Sequence, residues 1–535
     1  MITRLIGALM AVVLALATAV LVTTATPNAG ANPKDPETDA PKRLALVSEP
    51  AVQLPGFSQA LNERAQLNVQ RVYRAQDRLQ LDASWGYLPG KHAYNTAVDR
   101  YVLEQLQNYA ASVGWRYTPA AQGLPDFALI QAGEQRKCGD ELASQQVIER
   151  SRELETPVLQ IACEVLYAHG SQLGQRIWVT EYLQGEVSMQ HSEDFLVDTD
   201  PDFAAGERLR VGNSSALLAT QLDELADALI ALAAQDELKL VGDDDDLVEE
   251  LSQGLQAAQF ASDGRLLIPR TTLTVVQANL LPLVTDATTG NNAGYLAVDG
   301  AWIRQHLNEW GSDVQRSAAS QLAYSGPSNV PAGHDHVNCT LVPCLAVTYD
   351  DGPWQSTPQV VAVLEKYDQA ATFYVLGHLL ANGGWIVKQT FDAGHEIGNH
   401  SWNHPNLNRL NEADQRWQLA ATNRAIAAII GQNPTSYRPP YGAWSQRLRQ
   451  ISGMVGVLWN VDSYDWQGNS DAHYRNLVTR VKPGDIVLFH DVQPQTVRLA
   501  EEIIAGYTAR GYKLVTISQL FAGTGVGPGA MVYHR

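Results

Sequence analysis

His400 and His404 stand four residues apart in HSWNH. That spacing puts two imidazoles on one side of a helical turn, where they can converge on one cation. Two histidines are weak evidence for a metal site, so a third ligand is needed. Asp351, in the run TYDDGP (348–353), is the candidate. Two His and one carboxylate leave a position open for water, which is the arrangement of a catalytic site rather than a structural one. Successive strand residues point to opposite faces, so Asp350 and Asp351 are expected to divide the work. One binds metal and the other stays free as a base. Arg438 in RPPYG (438–442), Asp462 in DSYDW (462–466) and His490 in LFH (488–490) extend the set. Taken singly, each has an ordinary reading: a surface ion pair, a turn residue and a buried strand-end His. No G-x-S-x-G elbow or phosphate-binding loop is present in the sequence, which argues against serine hydrolase and nucleotide chemistry.

The elements that must position these residues are legible in the same stretch. Strand candidates are LAVTY (345–349), TFYV (372–375), EIGNH (396–400), VGVLWNV (455–461), DIVLFH (485–490) and YKLVTI (512–517). Helix-like segments lie between them at Thr357–Tyr367, Ala413–Ile430 and Val497–Arg510. Alternating strands and helices predict an α/β fold with a parallel sheet, open or closed into a barrel. In either case ligands gather at the carboxyl ends of the strands. Asp350, Asp351, His400, His404, Asp462 and His490 all fall at or just beyond such ends.

Five motifs in this order make the stretch 338–523 resemble the polysaccharide deacetylase family, carbohydrate esterase family four. They are TYDDGP, HSWNH, RPPYG, DSYDW and LFH, with Tyr349 where Phe is usual in the family. The resemblance implies a distorted (β/α) barrel at the C-terminus and hydrolysis of N-acetyl or O-acetyl groups on a glycan. It implies that Asp351, His400 and His404 hold a divalent metal, Zn favoured and Co or another cation an alternative. The metal would polarise the acetyl carbonyl and acidify water. Asp350, paired with Arg438, would be the general base, and the backbone N–H of Tyr441 would help stabilise the oxyanion. His490 would protonate the leaving amine with Asp462 orienting its ring. Trp466 and Leu488 would line a slot for the acetyl methyl, or serve simply as core residues. The expected partner is an acetylated glycan polymer, peptidoglycan first. Chitin oligosaccharide and acetylxylan are the alternatives. An inactive wall-binding or sensing protein is the reading from another class.

A chain of 535 residues is too long for one ordinary core. A formal charge of −19 argues against a nucleic-acid partner, because phosphate binding needs clustered Lys and Arg. Arg4 followed by the uncharged run Leu5–Val22 reads as a signal peptide or an N-terminal membrane anchor within 1–31. Either places the chain in the extracytoplasmic envelope, secreted or membrane-anchored. Four cysteines fit that compartment. Their spacing favours Cys339–Cys344 and Cys138–Cys163 as disulfides over a shared zinc site. Residues 32–44 read as a linker. Residues 45–322 read as an α+β envelope-associated region of one or two subdomains, with faint likeness to modules that precede deacetylases. Within it, 157–182 reads as a hairpin, Ala216–Ala234 as a helix, and Asp243–Asp246 as a solvated helix start. The Ser-, Gly- and Pro-rich stretch 323–337 reads as a second linker, 338–523 as the deacetylase domain and 524–535 as a tail. His334 and His336 within that linker form an H-x-H pair without further ligands. The sequence leaves the oligomeric state open.

Overall fold

Strand-forming runs and helical stretches alternate after Cys344 much as their hydrophobic periods predict. The computed structural model describes residues 43–48, 65–76, 79–122, 136–138, 144–203, 206–212, 217–236, 244–256, 258–261, 263–269, 294–320 and 322–535. The apolar run Leu5–Val22 and almost all of the stretch 32–44 lie outside them. No helix among the described residues is long and apolar enough to cross a membrane.

Among the described residues the N-terminal half holds two sheets. Strand β1 (Leu44–Ser48) belongs to the smaller one, described below. In the larger, β2 (Asn68–Gln76) and β3 (Leu79–Tyr87) pair antiparallel. Helices α1 (Ala93–Ser112) and α2 (Ser144–Arg152) then cross to β4 (Val158–His169), which pairs parallel to β3. Strands β5 (Gln172–Leu183), β6 (Glu186–Asp198) and β7 (Arg208–Gly212) complete it as an antiparallel meander. The expected hairpin is therefore β4–β5, but its turn is tighter than HGSQLGQ suggested. Gly170 adopts φ 55°, and this left-handed residue reverses the chain while Gln172–Gln175 join the strand.

Helices α3 (Leu222–Gln235) and α4 (Asp244–Gln256) share a core with the smaller sheet, formed by β1, β8 (Gln259–Phe260), β9 (Leu266–Pro269) and β10 (Gly294–Val298). The helix expected from Ala216 starts at Leu222, with Asp223 and Glu224 in its first turn. Asp244–Asp246 of the acidic run open a helix, α4, while Asp243 lies outside the described residues. Helices α5 (Gly300–Arg304) and α6 (Glu309–Ala319) follow β10.

The C-terminal half is built on β11 (Cys344–Gly352), buried along nearly its whole length, as a parallel strand covered on both faces must be. After it come α7 (Thr357–Lys366), β12 (Thr372–Val375), α8 (Leu380–Asp392), β13 (Glu396–Asn399), α9 (Glu412–Ile430), β14 (Ser436–Tyr437) and α10 (Gln446–Ser452). Then follow β15 (Val455–Val457), β16 (Val461–Asp462), α11 (Asp471–Arg480), β17 (Ile486–His490), α12 (Pro494–Ala509), β18 (Lys513–Leu514), α13 (Ile517–Leu520) and β19 (Met531–Val532). The order is β16-β17-β11-β12-β13-β14-β15-β19, with β18 beside β11, and every pair is parallel. This is the distorted barrel with interleaved helices, left open between β16 and β19. The α9 boundaries follow from chemistry: Asn411 caps the start by accepting from Asp414 N, and Gly431 ends it at φ 79°.

Three expectations shift. VGVLWNV splits into β15 and β16, because buried Arg438 takes the carbonyls of Val457 and Leu458 and the Asn460 side chain bonds Asp485 and Ile486 N. YKLVTI supplies only a two-residue strand, since Thr516 and Gln519 form a capping box that starts α13. The stretch read as a tail contributes β19, paired with β15.

The segment 323–337 is docked along the rest of the protein. Asp335 is buried and accepts from Asn68 Nδ2 and Gly90 N. His336 Nε2 lies 2.7 Å from Asp99 Oδ2, while the His334 ring packs toward Phe391, so the two histidines have separate partners. One buried apolar cluster runs from Val69, Trp85 and Ile161 to Val342, Ala346 and Ile486. Both disulfides, Cys138–Cys163 and Cys339–Cys344, are formed.

Candidate active site

Asp350 and Asp351 end β11. Strict alternation would send them to opposite faces. The β11–β12 register slips between Asp350 and Gly352, and Asp351 takes φ 73°. Both carboxylates therefore turn toward one histidine: His400 Nε2 is 3.6 Å from Asp350 Oδ2 and 3.5 Å from Asp351 Oδ1. The expected division of faces is replaced by convergence.

His400 follows β13 and is buried. Its Nδ1 lies 2.8 Å from the carbonyl of Arg438, which makes Nδ1 the donor and leaves the Nε2 lone pair facing Asp351. Burial drives its pKa down to about 3, against the opposing field of Asp351, so the ring is neutral, the form that binds metal. His404 Nε2 is 3.4 Å from the same Asp351 Oδ1. That oxygen is buried and accepts no hydrogen bond among the described residues. An orphaned buried carboxylate oxygen is costly unless something electropositive meets it. Four ligands held tetrahedrally at about 2.0–2.2 Å lie roughly 3.3–3.6 Å from one another, which matches the two spacings. The residues fit a divalent cation held by Asp351, His400 and His404, whose donor atoms all lie within 4.8 Å of one another.

Asp350 is buried behind that site. Arg438 Nη1 donates to its Oδ1 at 2.8 Å and to Thr348 Oγ1 at 2.7 Å. The guanidinium is itself fully buried and stacks 4.4 Å from the Tyr374 ring centre. Burial raises the Asp350 pKa, with Arg438 pulling the other way. The outcome is a carboxylate more basic than one in water, yet held in place.

His490 closes the opposite side, aligned with Asp350 across the β11–β17 ladder. Its Nε2 stands 3.9 Å from Asp351 Oδ2. Asp465 Oδ1 accepts from its ring Nδ1 at 2.7 Å and Oδ2 from its backbone N at 2.7 Å. Burial opposes a charge on this ring. The Asp465 hydrogen bond and the fields of Asp350, Asp465 and Asp351 outweigh it and lift the pKa to about 9. A base and an acid thus flank one cation site, their pKa values set by their surroundings.

Comparison with known proteins agrees. A family model described as polysaccharide deacetylase matches residues 338–458. A chitooligosaccharide deacetylase of Bradyrhizobium is 33% identical over 194 residues, covering 32% of this chain and 89% of that protein. The chain belongs to the polysaccharide deacetylase family. A peptidoglycan-N-acetylglucosamine deacetylase of Listeria monocytogenes is 34% identical over 33% of this chain, and the match spans only 38% of that relative. The solved peptidoglycan deacetylase PdaC of Bacillus subtilis aligns with 37% identity and a TM-score of 0.33, over 34% of this chain and 92% of that one.

Within this polysaccharide deacetylase fold, the sequence-predicted residues Asp350, Asp351, His400, His404, Arg438 and His490 are brought together. Asp462 is not the partner of His490. Its Oδ1 accepts from Tyr464 N at 2.8 Å and its Oδ2 from Trp459 Nε1 at 3.2 Å, an Asx turn that shapes the loop. Asp465, three residues on, takes the role, steadied by Thr496 Oγ1 at 2.7 Å. Both acids lie in DSYDW, and the spacing alone could not choose between them. Asp462 is spent inside β16, while Asp465 opens the following turn. Tyr441 is 69% exposed at φ 63° and lays its ring against His404 at 4.6 Å. Leu488 is buried in β17 and Trp466 is 57% exposed beside Asp465. Asp491 was missed altogether. It is fully buried, accepts from Thr357 Oγ1, and burial lifts its pKa to about 7. A Cβ at Gly352 would meet its Oδ2 at 2.9 Å, so the residue after Asp351 is glycine for lack of space.

Proposed function

We propose that the chain is a metal-dependent hydrolase that removes N-acetyl groups from N-acetylglucosamine in a cell-envelope polysaccharide, peptidoglycan above others. The observation that carries this reading is the buried Asp351 Oδ1, which accepts no hydrogen bond among the described residues and faces two histidine nitrogens, with Asp350 and His490 on either side. A bound divalent cation, Zn favoured, would polarise the acetyl carbonyl and acidify water. Asp350, fixed by Arg438, takes a proton as the water oxygen forms its bond to the carbonyl carbon. The backbone N–H of Tyr441 helps hold the oxyanion. His490, charged and oriented by Asp465, delivers a proton to the nitrogen as the C–N bond breaks. Acetate and a free amine leave. Trp466 and Leu488 shelter the acetyl methyl.

A glycan polymer is favoured by the exposed aromatics. Trp354, Trp417, Tyr441, Trp444, Tyr464 and Trp466 are all exposed. Each lies in a loop leaving a strand's carboxyl end or in the first two turns of the next helix. Sugar rings stack their C–H faces on such surfaces. Peptidoglycan is favoured by what the Listeria and Bacillus relatives are named for. The two disulfides favour an extracytoplasmic compartment. We read residues 45–322 as the envelope-associated part, sharing its core with the barrel.

The test is acetate release by the full chain, supplied with Zn²⁺ or Co²⁺, from peptidoglycan, chitin oligomers and acetylxylan. Release from peptidoglycan that disappears in Asp350→Asn, with metal content unchanged, is the expected result. No release from any polymer would refute the hydrolase, and preference for xylan would refute the substrate.

A further inference from the structure

The loop between the two histidines does not hold its own shape. Ser401 and His404 both adopt left-handed backbone, at φ 71° and 62°, which costs a non-glycine residue about 1–2 kcal/mol. Inside the loop, His404 N reaches Ser401 Oγ at 3.1 Å. Two carbonyls of the arch are held from the segment after β12, where Gly377 N donates to Ser401 O at 3.0 Å and His378 N to Trp402 O at 2.9 Å, and its N–H groups are held from α9. Gln418, in the second turn of that helix and nearly buried, accepts at Oε1 from Trp402 N at 2.8 Å and from Asn403 N at 3.3 Å. Its Nε2 donates to Asn403 Oδ1 at 2.7 Å. Asn399, just before His400, donates to Leu419 O at 2.9 Å and accepts from Ser401 N at 2.7 Å. One helix face therefore grips both ends of the arch that carries His404.

We propose that Gln418 is a positioning residue for the metal site, holding the 401–403 arch so that His404 presents Nε2 to Asp351 before any cation arrives. The inference rests on the metal-site reading above. Gln418 touches neither ligand side chain. It acts through two backbone N–H groups, and any side chain lacking an acceptor at that reach leaves Trp402 N and Asn403 N unbonded, with the arch held by its carbonyls alone on that side. The cation must then order the loop as it binds, and affinity falls by the cost of that ordering.

The experiment uses the full chain stripped with a chelator and titrated with cobalt(II), whose visible absorption reports ligand geometry. Gln418→Ala should weaken cobalt binding about 10- to 100-fold, alter the absorption band, and leave the melting temperature of the metal-free protein near that of the parent. Gln418→Glu keeps an oxygen that accepts from both N–H groups, and should recover affinity to within a few-fold. Parental affinity and an unchanged band in Gln418→Ala would overturn the proposal, as would a Gln418→Glu variant no tighter than Gln418→Ala. If the parent chain itself fails to bind cobalt, the metal-site reading falls first and takes this one with it.

Discussion

Replacing Asp465 with Asn should displace the alkaline limit of activity. Asp465 gives one oxygen to the His490 ring and the other to its backbone, with Thr496 fixing the carboxylate. An ordinary imidazole titrates near 6.5, and here the value is about 9. The difference amounts to roughly 3 kcal/mol in favour of the charged ring. His490 is proposed to act as an acid, so activity should persist below pH 9 and fall as the pH rises through it. In Asp465→Asn the burial that opposes the charge remains, while the partner loses its own charge. The limb should move acid-ward, because only the fields of Asp350 and Asp351 are then left to oppose burial. With the looser ring orientation added, kcat near neutrality should drop about 100-fold or more. The assay is acetate release between pH 5 and 10 with bound metal quantified at each point. Asp462→Asn, whose carboxylate serves Tyr464 and Trp459, should keep the parental limb. An alkaline limb unmoved in Asp465→Asn, or moved equally in both variants, would refute the assignment.

Other perturbations separate the remaining roles. Arg438→Lys cannot reproduce a planar fork that bonds Asp350, Thr348 and two carbonyls at once. It should cost about 3 kcal/mol of stability and most of the activity, checked by urea unfolding beside kcat. His404→Ala should lower metal content after dialysis while leaving the fold intact by circular dichroism, because His404 is half-exposed and its loop is held from α9. Cys138→Ser with Cys163→Ser opens a loop of 25 residues and should remove about 3 kcal/mol, read as a lower denaturant midpoint. An unchanged midpoint would mean that the bridge contributes nothing to stability.

Much of the site could be read from the sequence because its residues are local to strand ends. TFYV becomes β12 residue for residue, and the side chains that follow the strands meet above the barrel. What the sequence could not convey is contact between distant segments. Period two predicted opposite faces for Asp350 and Asp351, and a single left-handed residue with a slipped register overrode it. The choice of Asp465 over Asp462 depended on which loop residue the ladder leaves free to meet His490. Gln418 carries no motif, and only the docking of α9 brings it to the arch. At 323–337 Gly, Pro and Ser mark the absence of regular structure rather than the absence of contact, and Asp335 and His336 are tied to Asn68 and Asp99.

The apolar cluster shared between the N-terminal sheet and the barrel has a bearing on how the protein comes apart. Pulling the two halves apart would expose the inner faces of Val342, Ala346 and Ile486 to water, and about 25 cal/mol per Å² of newly wetted apolar surface would weigh against each half. The halves should therefore melt in one calorimetric transition, and protease should spare the 323–337 crossing until that transition. In that respect the N-terminal region acts as a keel for the barrel, and an enzyme trimmed to its five motifs would lack its ballast.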